Sequence, residues 1–175
     1  MSLLSTISKP ADRSVICTIT GDAGTGKTTL GATFPKPIFI RIEDGLQAVP
    51  EANRPDAFPV ISKVDQLWEQ LTALITEPHD YKTVVIDSIT QLETLFAEYV
   101  IANDPKQPKS LAQANGGYGA GYLAVSALHG RVRKAAKALN EKRNLHVAFI
   151  AHSDVSTIEL PDQDPYSRYE LRLHK

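Results

Sequence analysis

Residues 21–28 read Gly-Asp-Ala-Gly-Thr-Gly-Lys-Thr, a gapless match to the pattern G-x-x-x-x-G-K-[ST]. Such a loop works only between a strand that delivers the chain and a helix that carries it away, so it constrains the fold on both sides. Both flanks comply. Residues 14–20 (Ser-Val-Ile-Cys-Thr-Ile-Thr) are β-branched and apolar, like a buried strand, and residues 27–33 can open a helix. The glycines let the backbone curl until several N–H groups face one anion, and the helix start adds its partial positive charge. On this reading Asp22, Ala23, Gly24, Thr25, Gly26, Lys27, Thr28 and Thr29 surround the phosphates of a nucleotide. Lys27 reaches the β- and γ-phosphates and the Thr28 hydroxyl binds Mg²⁺.

The rest of the chain alternates in the way a parallel sheet requires. Strands are expected over residues 38–42, 83–86 and 146–151. Helical stripes run through Leu67, Trp68, Leu71, Leu74 and Ile75, with Asp65 as the expected cap, and through Ile89, Leu92, Leu95, Phe96 and Tyr99. A long helix is expected over residues 122–143, with Leu123, Leu128, Val132, Ala135 and Leu139 turned inward. Residues 103–121, rich in Pro, Lys, Gln and Gly, read as a mobile loop. Alternation over residues 168–174, up to His174, together with residues 157–160 suggests a C-terminal β-hairpin around Asp162-Gln163-Asp164-Pro165. The fold class is therefore α/β, a mainly parallel sheet with helices on both faces. Residues 1–13 form an N-terminal extension and residues 14–175 the core.

At 175 residues, 42% hydrophobic and 22% charged, the chain fits one soluble globular domain. Its formal net charge of −1 carries no global signal for nucleic acid, so any such partner would need a local patch. The single cysteine, Cys17, permits no intramolecular disulfide, which fits a reducing cytoplasm. No apolar run approaches the roughly 20 residues of a membrane span.

Three strand ends carry chemistry. Thr83-Val-Val-Ile-Asp87 ends an apolar strand in a carboxylate, which burial penalises unless a cation such as Mg²⁺ pairs with it. Glu43 ends the second strand and is the first choice for the base that activates an attacking water; Asp44 is the second. His152 follows the fourth strand, where a polar side chain can contact the γ-phosphate. The five histidines are scattered without metal-ligand spacing. Residues 114–122 hold four glycines with Tyr118 and Tyr122. Exposed tyrosines can stack on unpaired bases, and Arg131, Arg133 and Lys134 on the following helix could track a phosphate backbone. The plainer alternative is a flexible loop beside a solvated helix face.

Together these motifs resemble a RecA-like P-loop ATPase. Phe39-Ile-Arg-Ile-Glu43 is similar to the strand ending in the catalytic glutamate, Val84-Val-Ile-Asp-Ser88 to the magnesium strand, and Ala148-Phe-Ile-Ala-His-Ser153 to the sensor strand. More narrowly, Ile42-Glu-Asp-Gly45, the Gly-Tyr segment 116–122 and Ile150-Ala-His-Ser153 resemble phage-encoded AAA-type ATP-binding proteins, some of which anneal single strands in recombination. The resemblance implies ATP and Mg²⁺ as cofactors, Glu43, Lys27 and His152 as catalytic residues, and Thr28 and Asp87 at the metal. It also implies single-stranded DNA as a partner and a homo-oligomer with nucleotide at the subunit interface. Two departures stand out. His152 occupies a position where RecA has glutamine, and the chain as given ends at Lys175, short of the strands that carry trans-acting cations, so slow hydrolysis is expected. The rival readings are a nucleotide-dependent switch that binds a protein partner without DNA, and a small-molecule kinase.

Overall fold

Val84, Val85 and Ile86 are each fully buried, and their alternation explains the layering. Val84 and Ile86 join Ile38, Ile40, Val147 and Phe149 in one core, whereas Val85 joins Phe39, Ala148 and Ile150 in another. A period of two that is apolar on both faces requires cover on both faces. The computed structural model describes residues 3–7, 13–160 and 162–173. Its sheet runs in the order β1 (Ile16–Gly21), β5 (His146–Leu160), β4 (Thr83–Asp87), β2 (Pro37–Arg41) and β3 (Asp56–Ala57), with all neighbours parallel. The strand β6 (Gln163–Leu171) pairs antiparallel with the outer half of β5.

The short helix α1 (Lys27–Ala32) covers the smaller core, where Ala32 packs beside Leu46 and Val49. The larger core lies under α2 (Val64–Thr76), α3 (Ile89–Ala102) and α4 (Ala120–Arg143). Among the described residues no helix is long and apolar enough to cross a membrane.

Four expectations change. Asp65 does not cap α2; the Gln66 side chain does, its Oε1 accepting from the backbone N–H groups of Ser62 (2.8 Å) and Lys63 (3.1 Å). On α4 the inward stripe is Gly121, Val125, Leu128, Val132, Ala136 and Leu139, and Leu123 is 72% exposed. The connection before α4 is built rather than loose. It contains a 3₁₀ segment, Leu111–Gly116, and Asp104, 5% exposed, accepts from the backbone N–H groups of Lys106 (2.8 Å) and Asn115 (2.5 Å). The hairpin is longer than expected: pairing runs from Ser153 opposite Leu171 to Leu160 opposite Gln163, so Gln163, Asp164 and Pro165 belong to β6 rather than to a tip. His174 and most of the N-terminal extension lie outside the described residues.

Because the sheet strands are parallel, their C-terminal ends gather at one edge. β1 delivers the phosphate loop there, β2 Glu43, β4 Asp87 and β5 His152, and the register places Gly21 opposite His152 and Arg41 opposite Asp87.

Candidate functional site

The phosphate loop leaves β1 at Gly21 and turns through Gly24 (φ 78°) and Gly26 (φ 84°) into α1. Both glycines occupy left-handed backbone that a side chain disfavours, although open space surrounds them. Lys27 is 8% exposed, and its ammonium group donates to the carbonyls of Gly21 (2.9 Å) and Asp22 (2.7 Å), folded back over the loop. Asp22, Ala23, Thr25 and Thr29 line the open side of the loop and its helix as exposed residues.

Beneath the loop, the Thr28 hydroxyl donates to Asp87 Oδ2 at 2.7 Å, which unites the two residues expected at the metal. Asp87 is 3% exposed. Burial raises its carboxyl above the ordinary range; the Thr28 hydrogen bond opposes this, the nearby Glu43 charge adds to it, and His152 and Lys27 pull it down. A buried carboxylate beside a hydroxyl fits Mg²⁺, which is commonly held by one or two carboxylates together with substrate phosphates and water. No group of three or more His, Cys, Asp or Glu side chains that could hold a metal occurs among the described residues.

Gly45 completes this corner, and the sequence reading gave it no role. A Cβ on it would lie 3.0 Å from Thr28 Oγ1 and 3.2 Å from Asp87 Oδ2, so the backbone after β2 passes directly against the pair. That approach is held by the Asp87 carbonyl, which accepts from the N–H groups of Ile42 (2.7 Å) and Glu43 (3.3 Å).

Glu43 and His152, 109 residues apart in sequence, meet here: Glu43 Oε1 accepts from His152 Nε2 at 3.1 Å. Both side chains are half-buried, at 35% and 26% exposure. Asp44 is turned away, its oxygens accepting from Arg41 and Gln47 at 2.9 Å each. Two supporting residues also escaped the sequence reading. Thr90 Oγ1 accepts from the His152 backbone N–H (2.9 Å), and Ser153 Oγ donates to Asp22 Oδ1 in the phosphate loop (2.7 Å). The hairpin is tied to the same point, since the Arg172 N–H donates to the His152 carbonyl at 2.9 Å. The site thus offers an anion cradle, a buried carboxylate–hydroxyl pair and a carboxylate at the edge of both.

The expected DNA contacts are brought together only in part. Tyr118 is fully exposed and, with Tyr122, lines a cavity at the start of α4. Arg131 and Arg133 are two residues apart on a helix, about 200° around its axis. The Arg131 guanidinium stacks 4.2 Å over the Trp68 ring, Arg133 faces a second cavity lined by Ile16, Cys17 and Thr18, and Lys134 is exposed.

A comparison with curated proteins finds no match. A family model described as an AAA domain matches residues 13–175, a span that takes in the phosphate loop, Glu43, Asp87 and His152. This chain belongs to the AAA-domain family.

Proposed function

We propose that this chain binds ATP with Mg²⁺ and hydrolyses it. The observation that carries the reading is the convergence of four strand ends: the Lys27 loop, the Thr28–Asp87 pair and the Glu43–His152 pair all lie at one sheet edge. The loop amides and Lys27 hold the phosphates, and Thr28 and Asp87 hold the metal. Mg²⁺, when bound, neutralises charge that develops on the β- and γ-phosphates. Lys27 exchanges its two carbonyl partners for phosphate oxygens. Glu43 takes a proton from the attacking water, and His152 sits where it can report the γ-phosphate through the Thr90 and Arg172 contacts. Titration of a fluorescent ATP analogue into wild type and Lys27→Ala tests the binding half. Mg²⁺-dependent binding that Lys27→Ala abolishes is expected, and equal binding by both proteins refutes the reading.

For the macromolecular partner, two readings have separate support. Resemblance favours single-stranded DNA, in recombination or annealing by a homo-oligomer, and the exposed Tyr118 ring suits base stacking. The arrangement of charge favours a protein partner, because the Arg131 guanidinium is engaged on the Trp68 ring and Arg133 points about 200° away from it around α4. We adopt the protein-binding switch. Salt-sensitive, ATP-stimulated binding of a labelled single-stranded oligonucleotide would reverse that choice.

A further inference from the structure

Residues 21–28 carry one cation, Lys27, and one anion, Asp22. The pattern G-x-x-x-x-G-K-[ST] leaves the second position open, and a carboxylate there works against a loop that holds phosphate. Like charges at close range repel even in water, and more strongly where solvent is thinned. The backbone of Asp22 also sits at the centre of the loop. Its carbonyl accepts from the Lys27 ammonium (2.7 Å) and from the Thr25 hydroxyl (2.9 Å). A free carboxylate on that residue can turn toward Lys27 and stand in the cradle in place of a phosphate.

The carboxylate is instead held from outside the loop. Ser153 Oγ donates to Asp22 Oδ1 at 2.7 Å, across 131 residues of sequence. Parallel pairing of β1 with β5 ends one residue earlier, at Gly21 opposite His152, so this side-chain bond continues the ladder where the backbones part. A hydrogen bond to an ionised acceptor is among the stronger kinds.

Ser153 is itself fixed on both sides. It pairs with Leu171 in the hairpin. The neighbouring His152 is tied through both of its backbone groups: its carbonyl accepts from the Arg172 N–H (2.9 Å), and its N–H donates to Thr90 Oγ1 (2.9 Å). The hydroxyl therefore reaches Asp22 from a braced strand.

We infer that Ser153 is a positioning residue for nucleotide binding, holding the Asp22 carboxylate out of the phosphate cradle. The inference rests on the ATP-binding reading and adds to it a residue from outside the loop. With Ser153 in place, Lys27 has only two carbonyl oxygens to leave when phosphate arrives. Without it, Asp22 competes for the same ammonium and repels the incoming anion. Because Ser153 belongs to the first pair of the hairpin, the seating of the hairpin bears on nucleotide affinity.

The test is anisotropy titration of a fluorescent ATP analogue with Mg²⁺ into wild type, Ser153→Ala, Ser153→Thr, Asp22→Asn and the double variant Asp22→Asn with Ser153→Ala. Ser153→Ala should weaken binding about five- to tenfold. Ser153→Thr keeps a hydroxyl and should restore most of that loss. Asp22→Asn should bind more tightly than wild type, since a like charge is gone. In the Asp22→Asn background, Ser153→Ala should change affinity by less than about twofold. A merely structural role for Ser153 would weaken both backgrounds alike, so equal losses in the two overturn the inference, as does no loss from Ser153→Ala alone. Failure of wild type to bind the analogue brings down the ATP-binding reading and this inference together. Binding by wild type that Lys27→Ala abolishes and Ser153→Ala leaves unchanged brings down the inference alone.

Discussion

Gly45→Ala should damage the proposed metal site while sparing the phosphate loop. The added methyl would stand 3.0 Å from Thr28 Oγ1, 3.2 Å from Asp87 Oδ2 and 3.6 Å from Thr28 Cγ2. Comfortable non-bonded separations lie near 3.5–4.0 Å, so the hydroxyl and the carboxylate must each retreat by about a few tenths of an ångström. Neither can do so freely, because Asp87 is 3% exposed and the backbone of residues 42 and 43 is fastened to its carbonyl. Overpacking of this kind costs about 1–3 kcal/mol. Mg²⁺ tolerates little distortion of its ligands, so the cost should fall on metal-dependent affinity, about 5- to 150-fold. The assay is titration of a fluorescent ATP analogue with Mg²⁺ and again with EDTA. The Mg²⁺ curve should shift and the EDTA curve stay within about twofold, below half a kcal/mol. Equal losses in both, or none in either, would refute the claim that Gly45 guards the Thr28–Asp87 pair.

Asp87→Asn should abolish Mg²⁺-dependent nucleotide binding yet leave the nucleotide-free protein at least as heat-stable as wild type near neutral pH. The folded carboxyl titrates above its ordinary value of 3.8, so it holds its proton more tightly in the folded state. Its contribution to stability is therefore fully present below that value and is lost as pH rises through the raised one. The difference in melting temperature between wild type and Asp87→Asn across a pH series reads this directly, and Mg²⁺ affinity should rise with pH over the same window. Asp104 has the opposite sign: hydrogen bonds from the Lys106 and Asn115 backbone lower its pKa, so its contribution is present above the ordinary carboxylate value and lost as pH falls through the lowered one. Asp104→Ala should accelerate amide hydrogen exchange at Lys106 and Asn115, and unchanged exchange would contradict the anchoring role. Ser153→Ala removes the hydroxyl that holds Asp22, and should leave the melting temperature near wild type because Asp22 is exposed; a loss of several degrees would contradict this.

The features readable in sequence are those whose cause is local. The phosphate loop, the wholly buried β4 and the stripe of α2 each follow from a pattern within about a dozen residues. The stripe of α4 was misread because hydropathy selects Leu123, whereas the close-packed positions include the small residues Gly121 and Ala136. The hairpin tip was misplaced because Asp162-Gln163-Asp164-Pro165 has turn composition, yet pairing of Leu160 with Gln163 draws most of it into β6. Gly45, Thr90 and Ser153 lay beyond local reading. Their partners are Thr28 and Asp87, His152, and Asp22, and the Thr90 and Ser153 contacts span 62 and 131 residues. A glycine in a turn gives no local sign that Thr28 and Asp87 sit against it.

Phosphate release from saturating Mg²⁺-ATP by wild type and Glu43→Gln tests the account at its centre. Glutamine keeps the size of the side chain and an acceptor for His152 while removing the base, and general-base catalysis is worth about 10²–10⁴ in rate. The account predicts a loss of that order with binding of the ATP analogue unchanged. Full turnover by Glu43→Gln would contradict it.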